Sequence, residues 1–430
     1  MRKIKQLLLF ICETQILKVK RIKICKSNNP AKRRVMRPKL QKRSALKLAG
    51  RIILHKQGLN TPQLAAEISF QSLFWGFIPV IIFLAVLLVG GSSTTVNTVV
   101  EEGKPQREQP PAHHTKNGFR NIYQNTEQGL AEYLRWKLGY IPDEEPAITN
   151  VQMIPYAPDI VAPDYQLIYR PDPAKIQITW VGHATFLIQV EGINILTDPV
   201  FKGSLSPVGG IAFKRRSPPG IPFDRLPPIH AVLISHNHYD HLDLFTVKKL
   251  GNSPKYFVPL KLGQWFHDQK ITNYTQMDWW DTSMFKSIRI VSVPSQHFSR
   301  RTASDGNKTL WTGWVLETKR GKIFFAGDTG YSPYFKEIRE KLGPMRLALL
   351  PIGGYRPRWF MKTIHMDPPD AVSAHKDLQA KQSIAMHWGT FQLTDEPLGE
   401  PPLYLKKAMK EASMADDSFL VMKFGETRIF

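Results

Sequence analysis

The chain has 430 residues, 42% of them hydrophobic and 11% aromatic, which is enough for one large core plus appendages and excludes a fibrous or disordered protein. The net charge of +22 is uneven: residues 1–72 hold 18 Lys and Arg against Glu13 and Glu67, and the rest of the chain carries only +6. So mildly basic a body offers little footprint for a long polyanion, and no nucleic-acid partner is expected.

The basic block 1–72 reads as an N-terminal extension. It is followed over 73–91 by LFWGFIPVIIFLAVLLVGG, without one charge. As a helix this run would cover about 28 Å at ~1.5 Å per residue, close to the ~30 Å of a bilayer core. Trp75 stands where an interfacial aromatic is expected, and the cations on one side place the N-terminus in the cytoplasm. The expectation is a single-pass membrane protein with the body of the chain on the opposite side. A cleaved signal peptide is the competing reading, weakened by the length of the basic region before the apolar run, and Met36 is an alternative start to Met1. Residues 92–115, polar and containing Pro105, Pro110 and Pro111, read as a linker, leaving 116–430 as the compact domain. The two cysteines, Cys12 and Cys25, both lie in the extension, so a metal site in the domain must use His and carboxylate.

Beyond Ile176 short β-rich runs follow one another: IQITWV, TFLIQV, INILTD, HAVLIS, IRIVSVP, WTGWVLET, KIFFAGD, LALLP and SIAMHW. Helices are expected over 242–250, 334–342 and 368–378, the last opened by Asp367 as N-cap with Pro368 in the first turn. Strands first in hairpins and then separated by helices predict an α/β sandwich with helices covering its sheets.

The segment 235–243, SHNHYDHLD, packs three imidazoles and a carboxylate into six positions just after an apolar strand. A turn there can fan His236, His238, Asp240 and His241 toward one point, and this ligand set suits zinc or iron. His297, Asp328 and His387 each follow an apolar β run in the same way, and ligands at strand ends converge on one edge of a sheet. Seven such groups suffice for two four-coordinate ions that share a carboxylate. His183 reads as a structural or supporting residue rather than a ligand, and His230, His267 and His375 have no ligand context.

These motifs resemble the metallo-β-lactamase superfamily. More closely, TWVGHAT at 179–185, AGDTGY at 326–331 and GGYRPRWFMKTIHMDPPDAVSAH…MHWGTF resemble the N-acylphosphatidylethanolamine-hydrolysing phospholipase D family. The resemblance implies an αββα sandwich and two Zn²⁺, other divalent metals remaining open. It puts His236, His238 and His297 on one ion, Asp240, His241 and His387 on the other, with Asp328 bridging, and makes His365 a substrate-facing histidine. Asp240, Asp328 and His365 would then be the catalytic groups, and the partner a phospholipid in a membrane, cleaved to N-acylethanolamine and phosphatidic acid. A homodimer is compatible with the sequence. Two rival readings stay open: another hydrolase of the same fold acting on a lactone, thioester or β-lactam, and a membrane-tethered nucleic-acid-handling protein.

Overall fold

The computed structural model describes residues 110–124, 129–139, 156–205 and 213–430, all within one compact unit. Fourteen strands build two seven-stranded sheets. The first takes β1 (Ile176–Gly182), β2 (Thr185–Val190), β3 (Ile193–Thr197), β4 (Ala231–Leu233), β5 (Lys255–Pro259) and β6 (Tyr274–Met277). The second takes β7 (Thr282–Phe285), β8 (Ile288–Val293), β9 (Gly313–Thr318), β10 (Gly321–Phe325), β11 (Leu347–Pro351), β12 (Gln382–Met386) and β13 (Phe419–Leu420), and the chain then returns to add β14 (Thr427–Ile429) beside β1. Both sheets are mixed: β14–β1–β2–β3 and β7–β8–β9–β10 are antiparallel, whereas β3–β4–β5–β6 and β10–β11–β12–β13 are parallel.

Period-two alternation explains the layers. On the first sheet Ile195 and Leu233 turn into the core between the sheets with Trp180, Trp314 and Leu349. Their neighbours Leu196, Val232 and Ile234 turn the other way, onto Val247 and Phe266 of helices Leu244–Leu250 and Gly263–Asp268. Helices Tyr334–Leu342, Pro368–Asp377 and Glu400–Glu411 supply Ile338, Ala371 and Leu405 to the second sheet's packing. Thus two sheets lie between helical layers, as the resemblance implied.

The expected span over 73–91, and the basic extension before it, fall outside the described residues. No helix among the described residues is long and apolar enough to cross a membrane. The single-pass placement, with a cytoplasmic N-terminus and the hydrolase domain opposite, is accordingly withdrawn.

Candidate metal centre

Six strands deliver the site at their carboxyl ends: β1 is followed by His183, β3 by Asp198, β4 by 235–241, β8 by His297, β10 by Asp328 and β12 by His387. Close approach makes this convergence compact. Gly327 has φ +60° and any Cβ there would lie 2.5 Å from Cβ of Ser235, so only glycine lets the Asp328 loop abut the His236 loop. The 235–243 turn closes on itself, His241 N–H and Leu242 N–H donating to the His238 carbonyl, and ends with Asp243 capping helix Leu244–Leu250 through Phe245 N–H.

All seven sequence-predicted ligands stand together in two adjoining groups. In the first, His236 Nε2 lies 2.9 Å from His238 Nδ1, and His297 Nε2 lies 3.3 Å from it. Asp328 Oδ2 is 3.9 Å from His236 Nε2 and 3.8 Å from His297 Nε2. In the second, Asp240 Oδ2 is 3.4 Å from Nε2 of both His241 and His387. The same Asp328 oxygen is 3.1 Å from His241 Nε2 and 3.2 Å from His387 Nε2, so one carboxylate oxygen adjoins both groups.

The donor chemistry fits divalent ions. His241 Nε2, His387 Nε2 and Asp328 Oδ1 are buried without a hydrogen-bond partner, which in a protein interior calls for an occupant. Burial, with repulsion from neighbouring imidazoles, lowers His238 to about 3, and His236 lies well below its ordinary range for the same reasons. His297 falls to about 4 through burial, only partly countered by Asp328. Three neutral imidazoles therefore present lone pairs to the first group. Burial also opposes charge on His241 and His387, yet Asp328 and Asp240 raise His241 well above its ordinary value and His387 to about 9. Against burial, the charge on His241 holds Asp240 and Asp328 well below the usual carboxylate range. The second group is thus two ionised carboxylates balanced by protonated imidazoles, a charge a cation would balance instead.

Neighbouring groups fix the rings. His297 Nδ1–H donates to the Ile364 carbonyl at 2.8 Å. Asp198, fully buried, accepts from His241 Nδ1–H at 2.7 Å, from Ser235 N–H at 2.7 Å and from the Ser235 hydroxyl at 2.5 Å, and that hydroxyl lies 2.8 Å from His236 Nδ1. One carboxylate thereby orients a ligand of each group, the usual way an outer partner fixes a tautomer. Asp198 was not among the sequence candidates, although it ends the run INILTD in the same strand-end context as the others. His183, expected as a structural or supporting residue, lies with its Nε2 3.0 Å from Asp240 Oδ2.

His365 arrives on the loop between helices Arg358–Met361 and Pro368–Asp377. Its half-buried ring is 5.1 Å from that of His297 and 5.3 Å from that of His387, and its buried Nδ1 has no partner. Arg358 clamps this loop, donating to the His365 carbonyl at 2.8 Å and pairing with Asp367 at 3.1 Å and Asp370 at 2.5 Å. Beside it Phe298, Trp359, Phe360, Met361, Ile364 and Trp136 form a separate apolar cluster.

Residues 193–388 match the model of the Beta-lactamase superfamily domain. The chain is 41% identical over 263 residues to an N-acyl-phosphatidylethanolamine-hydrolyzing phospholipase D 1 of Caenorhabditis elegans, covering 58% of this chain and 74% of that protein. It is 33% identical over 262 residues to the mitochondrial N-acyl-phosphatidylethanolamine-hydrolyzing phospholipase D of Saccharomyces cerevisiae, covering 59% of this chain and only 55% of that one. It is 28% identical over 256 residues to a UPF0173 metal-dependent hydrolase of Methanopyrus kandleri, covering 59% of this chain and 99% of that protein. A metal-dependent hydrolase of the metallo-β-lactamase superfamily follows from these likenesses together with the two ligand groups.

Proposed function

Since this chain belongs to the N-acylphosphatidylethanolamine-hydrolysing phospholipase D family, we propose that it is a zinc-dependent phosphodiesterase that cleaves N-acylphosphatidylethanolamine to N-acylethanolamine and phosphatidic acid. The observation that carries this reading is the pair of ligand groups meeting at one Asp328 oxygen, with the unpartnered nitrogen of His365 beside them. Two divalent ions held by these residues would supply a nucleophilic water near neutral pH and a counter-charge for phosphoryl oxygens.

His236, His238, His297 and Asp328 would hold one ion, and Asp240, His241, His387 and Asp328 the other. Asp240, whose Oδ2 lies at the wall of the second group beside His241 and His387, would take the proton of the attacking water. The water oxygen bonds to phosphorus as the bond from phosphorus to the N-acylethanolamine oxygen breaks, and the leaving alkoxide takes a proton from solvent. His365 hydrogen-bonds a substrate oxygen through its free nitrogen, and the Arg358 clamp holds it there. The apolar cluster around Phe298 and Trp359 keeps that side of the site dry, which strengthens these charge interactions.

The test is release of phosphatidic acid from N-acylphosphatidylethanolamine in mixed micelles, with metal content assayed in parallel. Asp328→Ala should lose both activity and much of the metal. His365→Ala should keep its metal but turn over ~10²-fold more slowly, about 2.7 kcal/mol of lost transition-state stabilisation. Full activity in the His365 variant would remove that residue from the site.

A further inference from the structure

We propose that His183 is a positioning residue for the second metal group, acting through a hydrogen bond to Asp240; the proposal rests on the two-ion reading above. Its Nε2–H donates to Asp240 Oδ2 at 3.0 Å, the same oxygen that faces His241 and His387. The imidazole is buried and its ring lies 4.1 Å from that of His387 and 5.3 Å from that of His241.

The backbone holds this residue in place. His183 has φ +56°, a left-handed conformation that costs a histidine free energy and persists only when its surroundings impose it. They do so here: His183 N–H donates to the Thr390 hydroxyl at 2.9 Å, and its carbonyl accepts from His387 N–H and from Trp180 Nε1–H, both at 3.1 Å. The turn after β1 is therefore pinned to the 387–390 segment that carries a predicted ligand. A glycine would fit this turn without strain, yet an imidazole stands there with its Nε2 on Asp240. Holding the Asp240 carboxylate against rotation keeps Oδ2 aimed at the second group, and such outer partners govern metal affinity by about 10–100-fold.

Two substitutions separate side-chain reach from backbone tolerance. In His183→Gln the amide nitrogen lies as many bonds from Cα as histidine Nε2, so the donor to Asp240 is retained. In His183→Asn the left-handed φ stays tolerated, but the amide nitrogen falls one bond short. Zn²⁺ is titrated into the metal-free full-length protein against a chromophoric chelator, with thermal unfolding followed alongside. Wild type should bind two ions. His183→Asn should weaken the second ion ~10–100-fold with the first unchanged, and His183→Gln should stay within about threefold of wild type. Loss of the second ion in both variants would overturn the proposal in favour of direct ligation by His183. Normal binding by His183→Asn would overturn it in favour of a purely backbone role. A wild type that takes up a single ion would overturn the two-ion reading itself, and this assignment with it.

Discussion

Replacing Asp198 by alanine removes the acceptor for three buried donors: Ser235 N–H, the Ser235 hydroxyl and His241 Nδ1–H. Asp198 is wholly inaccessible to solvent, so bulk water does not reach these donors in the folded protein. Leaving a buried donor unmet costs about 1–3 kcal/mol, which sets a floor of about 3 kcal/mol on the destabilisation of the metal-free protein. The loss propagates, because Ser235 also adjoins His236 Nδ1, so ligands of both groups lose their orientation and zinc affinity should fall at least ~10-fold at each. Chemical denaturation of the metal-free protein and zinc titration of the folded protein measure the two effects separately. A metal-free Asp198→Ala protein as stable as wild type, with unchanged zinc affinity, would refute the reasoning.

Arg358→Met should loosen the loop carrying His365 and reduce lipid turnover ~10-fold with metal content intact; equal turnover would show that the clamp on His365, Asp367 and Asp370 is dispensable. Gly327→Ala, at φ +60° and 2.5 Å from Ser235 Cβ, should cost about 1–3 kcal/mol of stability and weaken metal binding, which thermal unfolding with and without zinc will measure. In the metal-free protein His387 is raised from 6.5 to about 9, so its stabilisation is complete below about pH 6.5 and lost as pH rises through about 9. The depressed His236, His238 and His297 act in the opposite sense only up to about pH 7.5, so denaturation midpoints at pH 7.5 and pH 9.5 should differ more for the metal-free than for the zinc-loaded protein, and zinc uptake near pH 7 should release protons; a metal-free midpoint no more pH-dependent than the loaded one contradicts this.

What was legible in the sequence followed from crowding and context. Four candidate ligands inside 236–241 leave few other purposes, and His297, Asp328 and His387 share the position just past an apolar β run. Asp198 shares it too, but a lone carboxylate has no neighbour in sequence to mark it, and its partners Ser235 and His241 lie 37 and 43 residues away. His183 was legible as a supporting residue but its partner was not, because its bond to Asp240 spans 57 residues. The helix over 334–342 lies where its pattern put it. The one expected over 242–250 begins at Leu244, because Leu242 N–H is taken by the His238 carbonyl and Asp243 is the cap. Helix Glu400–Glu411 adds to the expected helices, with Leu405, Ala408 and Met409 on its buried face. The return of β14 to the first sheet depends on pairing with β1 some 250 residues earlier, which no local pattern encodes.

The most direct measurement of the central claim is hydrolysis of N-acylphosphatidylethanolamine by the zinc-loaded protein in ¹⁸O-labelled water, with both products read by mass spectrometry. Equimolar N-acylethanolamine and phosphatidic acid, with the label only in the phosphate of the latter, is the result expected from water attack at phosphorus. A fully loaded protein that leaves the lipid intact, or that places the label in the N-acylethanolamine, would contradict it.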